Sequence, residues 1–342
     1  MKFGHGNTAG ILYASLGIAL FTGCASGPES RFLSNIRQIT FSDMGFKNAG
    51  EAYFAPDGKR IIFQAMPQGK DDYQIYVMDL GGGAPHMVST GKGACTCAFF
   101  HPGGEKIIFA SSHLDPNVDA PKPSKEGKGY EWDFNRYMEI FESNPDGSGL
   151  TRLTDATGYD AEGAYSPDGR QIVFTSQRDN DLEIYVMDAD GGNPRRLTSA
   201  AGYDGGPFFS PDGTQVLYRA DHRNDGKQNL QLRIMNADGS GDRAITDNPI
   251  FNWCPYWHPL GKWMIFTQAD HEAYARGGKP NYDLHLTTTD GDRFERVTFD
   301  DAFDGLPVFS SDGKRLMWTS KRGGLDEAQV FIADFHMPRE LQ

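Results

Sequence analysis

Six times the chain writes an aromatic-rich segment, a Pro-Asp-Gly-type turn and a second apolar segment. The copies centre on Pro56-Asp57-Gly58, Pro102-Gly103-Gly104, Pro167-Asp168-Gly169, Pro211-Asp212-Gly213, Pro259-Leu260-Gly261 and Ser311-Asp312-Gly313. Self-similarity at a period in the forties constrains the architecture before any single residue is weighed. Each copy is one supersecondary unit that must bury its apolar faces against its neighbours.

The third copy reads as four strands. Ala164-Tyr165-Ser166 leads into a turn where Pro167 presets φ and Gly169 accepts a positive φ. Gln171 to Thr175 is a β-branched and aromatic run of strand length, and Glu183 to Asp188 is the next. Arg195-Arg196-Leu197-Thr198 forms a short, charged outer strand, which protects an edge. Four strands, six times over, predict an all-β fold: a six-bladed β-propeller of four-stranded antiparallel blades. The last copy stops after Gln329 to Asp334, while an orphan Arg37-Gln38-Ile39-Thr40 precedes the first copy and matches Arg195 to Thr198. The N-terminal strand is therefore expected to complete the last blade and close the ring.

Residues 1–23 read apart from this fold. Lys2 precedes an uncharged, mostly apolar stretch from Ala9 to Phe21, too short to span a bilayer, so it reads as a secretory signal. Leu20-Phe21-Thr22-Gly23-Cys24 resembles a bacterial lipobox, with Phe21 where Leu is usual. The resemblance implies acylation at Cys24, a tether over 24–34 and a propeller domain over 35–342. It also implies a periplasm-facing lipoprotein of the cell envelope. Ala25, in place of a retaining Asp, tilts this toward the outer membrane under the sorting rule of enteric bacteria. The alternative is a plain cleaved signal with an incidental cysteine.

With 33 Lys+Arg against 46 Asp+Glu, the chain lacks the positive footprint that nucleic acid requires. Cys95, Cys97 and Cys254 remain after Cys24, an odd number and no disulfide scaffold. Cys97 and Cys254 fall in opposite blades, so buried free thiols are expected rather than a bridge.

Ser210-Pro211-Asp212-Gly213, Ile184-Tyr185-Val186-Met187-Asp188 and Arg196-Leu197-Thr198 resemble the repeat of TolB-like β-propellers, the WD40-like Pro-Asp repeat, over residues 36 to 335. The resemblance implies the six-bladed fold. It implies no single activity, because that repeat serves periplasmic scaffolds and peptidase accessory domains alike.

Candidate site residues precede each turn. Seven places back stand Asp160, Asp204, Asn252 and Asp304, with Ala49 and Cys95 in the first two copies. Five back stand Glu51, Cys97, Glu162, Gly206, Cys254 and Leu306, and eight back stand Tyr159, Tyr203, Phe251 and Phe303. In a regular strand, positions seven and five back share a face. Carboxylates and aromatics would then converge on one channel mouth, able to bind a cation, an amine, a peptide terminus or a sugar. The competing reading is local: Asp caps a turn and aromatics pack between blades. Glu51 and Glu162 depart from the repeat and are the stronger functional candidates.

His113, His222 and His271 fall on the same face, and with Cys95 and Cys97 they are the candidates for a metal. No compact ligand spacing accompanies them, so no metal or other cofactor is favoured. His101 and His258 stand in equivalent turns and read as turn packing. An insertion at 113–137 opens on the same face and brings Trp132 as a stacking or docking residue.

No Gly-x-Ser-x-Gly elbow, His-Glu-x-x-His helix or phosphate loop occurs. The expected function is a non-enzymatic, lipid-anchored binding or scaffold protein, monomeric, engaging an envelope protein or peptide, or a glycan, at the channel face. The alternative is an envelope enzyme, a carbohydrate- or peptide-active lyase or hydrolase using mouth carboxylates and histidines, with or without a metal.

Overall fold

The computed structural model describes residues 27–120, 134–222, 229–273, 278 and 280–342. The signal segment, Cys24 and Trp132 lie outside the described residues. Six four-stranded antiparallel sheets are present. Their inner strands are Phe46–Phe54, Cys95–Phe100, Asp160–Tyr165, Tyr203–Phe209, Phe251–Trp257 and Asp304–Phe309. Blades 1 to 6 are numbered in that order. No helix among the described residues is long and apolar enough to cross a membrane.

The second strands carry the core. Ile172, Val173 and Phe174 in blade 3, and Met264, Ile265 and Phe266 in blade 5, are wholly buried. Both faces of such a strand meet a neighbouring blade, which is why these runs do not alternate with polar residues.

The ring closes as the repeat implies. Leu33–Gln38 pairs antiparallel with Gln329–Phe335 in the sheet of blade 6, with Leu33 opposite Phe335 and Gln38 opposite Phe331. The closing strand starts earlier than the orphan motif and is six residues long, against two or three in the other outer strands. Phe32 and Leu33 enter the core between blades 5 and 6. Upstream, Glu29 accepts hydrogen bonds from Arg322 and from the Phe299 amide, which pins the chain at the seam.

The hydroxyl that follows each outer strand has a physical role that recurs around the ring. A hydroxyl accepts a backbone N–H near the start of each third strand: Thr154 from Ile140, Thr198 from Ile184, Thr246 from Leu232, Thr298 from Leu284, Thr40 from Val330 and Ser89 from Ile75. In blade 3 the Thr198 hydroxyl also donates to the buried Glu183 carboxylate at 2.6 Å, and Arg196 pairs with the same carboxylate. The hydroxyl thus ties each outer strand to the start of the strand it covers. Thr198→Val would leave the Ile184 N–H and one Glu183 oxygen unsatisfied, a loss of about 2 kcal/mol. Urea denaturation of the variant measures this, and an unchanged midpoint would show that water replaces the hydroxyl.

Candidate functional site

Every inner strand carries a bulge at the same place. The pairing with the second strand slips between Gly50 and Tyr53, Thr96 and Phe99, Ala161 and Ala164, Gly205 and Phe208, Trp253 and Tyr256, and Gly305 and Val308. Within each slip one residue is left-handed: Glu51, Cys97, Glu162, Gly206, Cys254 and Leu306, with φ between 46° and 59°. Five of these are not glycine, and each such residue stores roughly 1–2 kcal/mol of backbone strain. Side chains of neighbouring blades hold the conformation. Thr319 accepts the Glu51 N–H, Thr175 that of Gly206 and Thr267 that of Leu306.

All six left-handed residues line one cavity of about 260 Å³. The bulge also corrects the expectation that positions seven and five back share a face, because an extra residue reverses the alternation between them. Asp160, Asp204, Asn252 and Asp304 are buried and do not line this cavity. Each is tied to the end of its own blade's second strand. Asp160 pairs with Arg178 at 3.0 Å, Asp204 with His222 at 2.6 Å and Asp304 with Arg322 at 2.5 Å, while Asn252 accepts from Gln268 at 2.8 Å.

His222 therefore stands where Arg178 and Arg322 stand in their blades, eleven residues after the turn's first residue, and does the same work. Its pKa is raised by the hydrogen bond to Asp204. His113, at the equivalent place, bonds Ser111, whose hydroxyl also receives Cys95 Sγ. His271 stacks on Phe251 and bonds the Tyr282 hydroxyl. Among the described residues, no group of three or more His, Cys, Asp or Glu is placed to hold a metal. Cys95, Cys97 and Cys254 are free thiols. His101 and His258 each accept an N–H within their own turn, and pack edge-on against Tyr165 and Phe309 of the next blade.

Glu51 and Glu162 do reach the cavity, with Tyr159 on its wall. Glu162 pairs with Arg219 and accepts from the Thr175 hydroxyl and the Gly206 N–H, both at 2.7 Å. Tyr203 stands behind this pair, its hydroxyl 2.7 Å from Arg219 Nη2. A Cβ on Gly206 would lie 1.7 Å from Arg219 Nη1, so glycine is needed for the guanidinium to pass. Glu51 is different. Thr96 donates to it at 3.3 Å, but no described cation pairs with it. Burial pushes its carboxyl up to about 7, with the nearby Glu162 adding to the rise.

Arg219, Gln64 and Trp253 also line the cavity and were not picked out by the sequence reading. A signal for the first two was present. Eight places after the turn's first residue, three blades carry Thr175, Thr267 and Thr319, whereas blades 1 and 4 carry Gln64 and Arg219. The indole nitrogen of Trp253 and the amide oxygen of Gln64 are buried without a hydrogen-bond partner. From the insertion of blade 2, Phe134 returns to the cavity wall and packs against Tyr159 and Tyr203.

The floor is aromatic. Tyr53, Phe99, Phe208 and Tyr256, each three places before its turn, touch one another with ring centroids 5.1–6.1 Å apart. They divide the channel, and a second cavity of about 310 Å³ lies beyond them among the Pro-Asp-Gly turns.

The carboxyl of Glu51 has a consequence for stability. Its folded pKa lies above the unfolded value, so the folded state binds the extra proton. Stability is greatest below about pH 4.5 as far as this group is concerned, and falls as pH rises from 4.5 through 7. The full shift corresponds to about 3 kcal/mol. Glu51→Gln should therefore stabilise the protein at pH 8 and change little at pH 4.5. Melting curves at the two pH values check this, and equal shifts at both would contradict it.

A model of the TolB beta propeller domain, PD40, matches residues 133–219 and 151–275. The putative TolB from Agrobacterium tumefaciens is 22% identical, with 84% of this chain and 91% of that chain covered at a TM-score of 0.59. The chain is a six-bladed β-propeller similar to the TolB propellers. TolB from Acinetobacter baumannii is 17% identical over 86% of this propeller and 65% of that chain, at a TM-score of 0.56. The oligogalacturonate lyase from Vibrio parahaemolyticus is 12% identical over 90% and 94%, at 0.55. These likenesses concern the fold that the chain shares with them. What is particular to it is the set of residues standing at the six bulges.

Proposed function

We propose that this propeller is a non-enzymatic binding protein of the bacterial cell envelope, anchored through Cys24. It engages a protein or peptide segment at the cavity of Glu51, Glu162 and Arg219. The observation that carries the reading is the size and lining of that cavity. About 260 Å³ admits one side chain or a terminal residue, with charged groups and orphaned polar atoms set among aromatic walls. Such a pocket serves recognition of a projecting group, with the surrounding face supplying the remaining contacts. A glycan end would meet the same chemistry. The similarity to propellers named TolB supports a binding role.

One observation favours a second reading. A carboxyl that titrates near 7 suits general acid–base work, and a lyase shares the fold. The chain would then be an envelope enzyme acting on carbohydrate or peptide.

The mature protein should be immobilised and exposed to envelope fractions, beside assays of turnover on glycans and peptides. A partner retained by the wild type and lost in Glu51→Gln supports the binding reading. Turnover lost in Glu51→Gln would replace it with the enzyme.

A further inference from the structure

We propose that the cavity recognises a primary ammonium group, held by Glu51 and boxed by aromatic rings. This deepens the reading above and rests on the same cavity. Two carboxylates enter the space, Glu51 and Glu162, and one guanidinium, Arg219. Glu162 uses Arg219, Thr175 and the Gly206 amide, so its acceptor capacity is spent on the protein. Glu51 has its hydrogen bonds from Thr96 and Cys97 alone among the described residues, and it feels the Arg219 charge without pairing with it. Among the described residues, Glu51 is thus the cavity carboxyl without a salt-bridge partner, and a cation of ligand size would supply one.

The walls agree. Tyr53, Tyr73, Tyr159, Trp253 and Tyr256 surround the space, and ring faces attract an ammonium group. The orphaned Gln64 oxygen accepts a further N–H, and the orphaned Trp253 N–H donates to an acceptor on the same ligand. A neutral sugar would use the indole and the amide but would leave Glu51 without its cation. A carboxylate ligand would be repelled by Glu51.

The groups facing Glu51 come from five blades. Besides Glu162 and Arg219 they are Tyr53 and Tyr73 of blade 1, Cys97 of blade 2 and Cys254 of blade 5. Burial pushes both thiols and both phenols up, so they stay neutral between pH 6 and 8.5. Over that range an alkylamine keeps its charge. The Glu51 carboxyl changes from mostly protonated to mostly ionised, so amine affinity is set to rise with pH.

Calorimetry on the mature protein with n-butylamine, and with n-butanol as the neutral control, tests this. Binding of n-butylamine should strengthen about tenfold from pH 6 to 8.5, with n-butanol bound far more weakly. Glu51→Gln should weaken the amine about tenfold at pH 8.5 and abolish its pH dependence. Triglycine and N-acetyltriglycine separate the source of the amine. Selective binding of triglycine assigns the site to a peptide terminus, and selective binding of n-butylamine to a side-chain-type amine. Butanol binding as well as butylamine, or a flat pH profile in the wild type, would overturn the inference even if the variant failed to fold. A partner captured from the envelope in the absence of any amine binding would leave the binding function standing and remove only the ammonium.

Discussion

Deletion of residues 33–40 is expected to abolish the cooperative unfolding of the propeller altogether. The segment supplies the whole fourth strand of blade 6, and its loss leaves Gln329–Phe335 as an open edge. Leu33 and the neighbouring Phe32 are almost fully buried among Trp263, Phe309, Trp318 and Phe335, so apolar surface is exposed together with the edge. Thr40 is lost as well, and with it the hydrogen bonds to Gln329 and to the Val330 amide. A closed ring has no free sheet edges, whereas the opened one exposes a strand ready to pair with other chains. The thermal melt should broaden or vanish, and size exclusion should show association. The milder Leu33→Ala should still melt cooperatively, with a loss of about 2–5 kcal/mol. A truncated protein with the melting temperature of the full chain would refute the closure.

The second large effect is expected at Arg219. Arg219→Met keeps the bulk of the side chain and removes the buried guanidinium, so the part-buried Glu162 carboxylate loses its charge partner. Breaking a buried pair from one side costs about 3–5 kcal/mol. The lower end applies here, because Thr175 and the Gly206 amide still donate to Glu162. The double variant Arg219→Met with Glu162→Gln should recover most of the loss, since no uncompensated charge remains. Gly206→Ala should resemble Arg219→Met, because the added methyl occupies the path of the guanidinium and must also adopt a left-handed φ. Guanidinium unfolding of the wild type, Arg219→Met, Glu162→Gln and the double variant measures the coupling. Strict additivity of the two single changes would mean that the pair does not act as a unit.

Much of the fold was legible because its signals are local. Pro, Asp and Gly at a turn, and β-branched runs beside it, act within a few residues, and their sixfold recurrence leaves few arrangements open. The closing strand was legible for the same reason: Arg37 to Thr40 repeats the pattern of Arg195 to Thr198. The candidate site was half legible. Glu51 and Glu162 stood out against the repeat, and both reach the cavity. The aspartates seven places back were read by the alternation of a regular strand. The bulge at Glu51, Cys97, Glu162, Gly206, Cys254 and Leu306 breaks that alternation. Its cause lies partly in the neighbouring blade, where Thr319, Thr175 and Thr267 hold the bulged amides, and a contact between distant residues leaves no local pattern to read.

Arg219 illustrates the division most clearly. Its departure from the threonine column is visible in the sequence. Its pairing with Glu162, 57 residues away, depends on how blades 3 and 4 are set around the axis. The amino-acid order was sufficient for six blades, their four strands and the closure of the ring, since those follow from periodicity and turn chemistry. Which polar side chains serve a blade and which face the cavity was settled only by the packing of one blade against the next. Asp204 ended on His222 and Glu51 in a salt bridge with no described cation, because the bulge turns adjacent positions of one strand toward different surroundings.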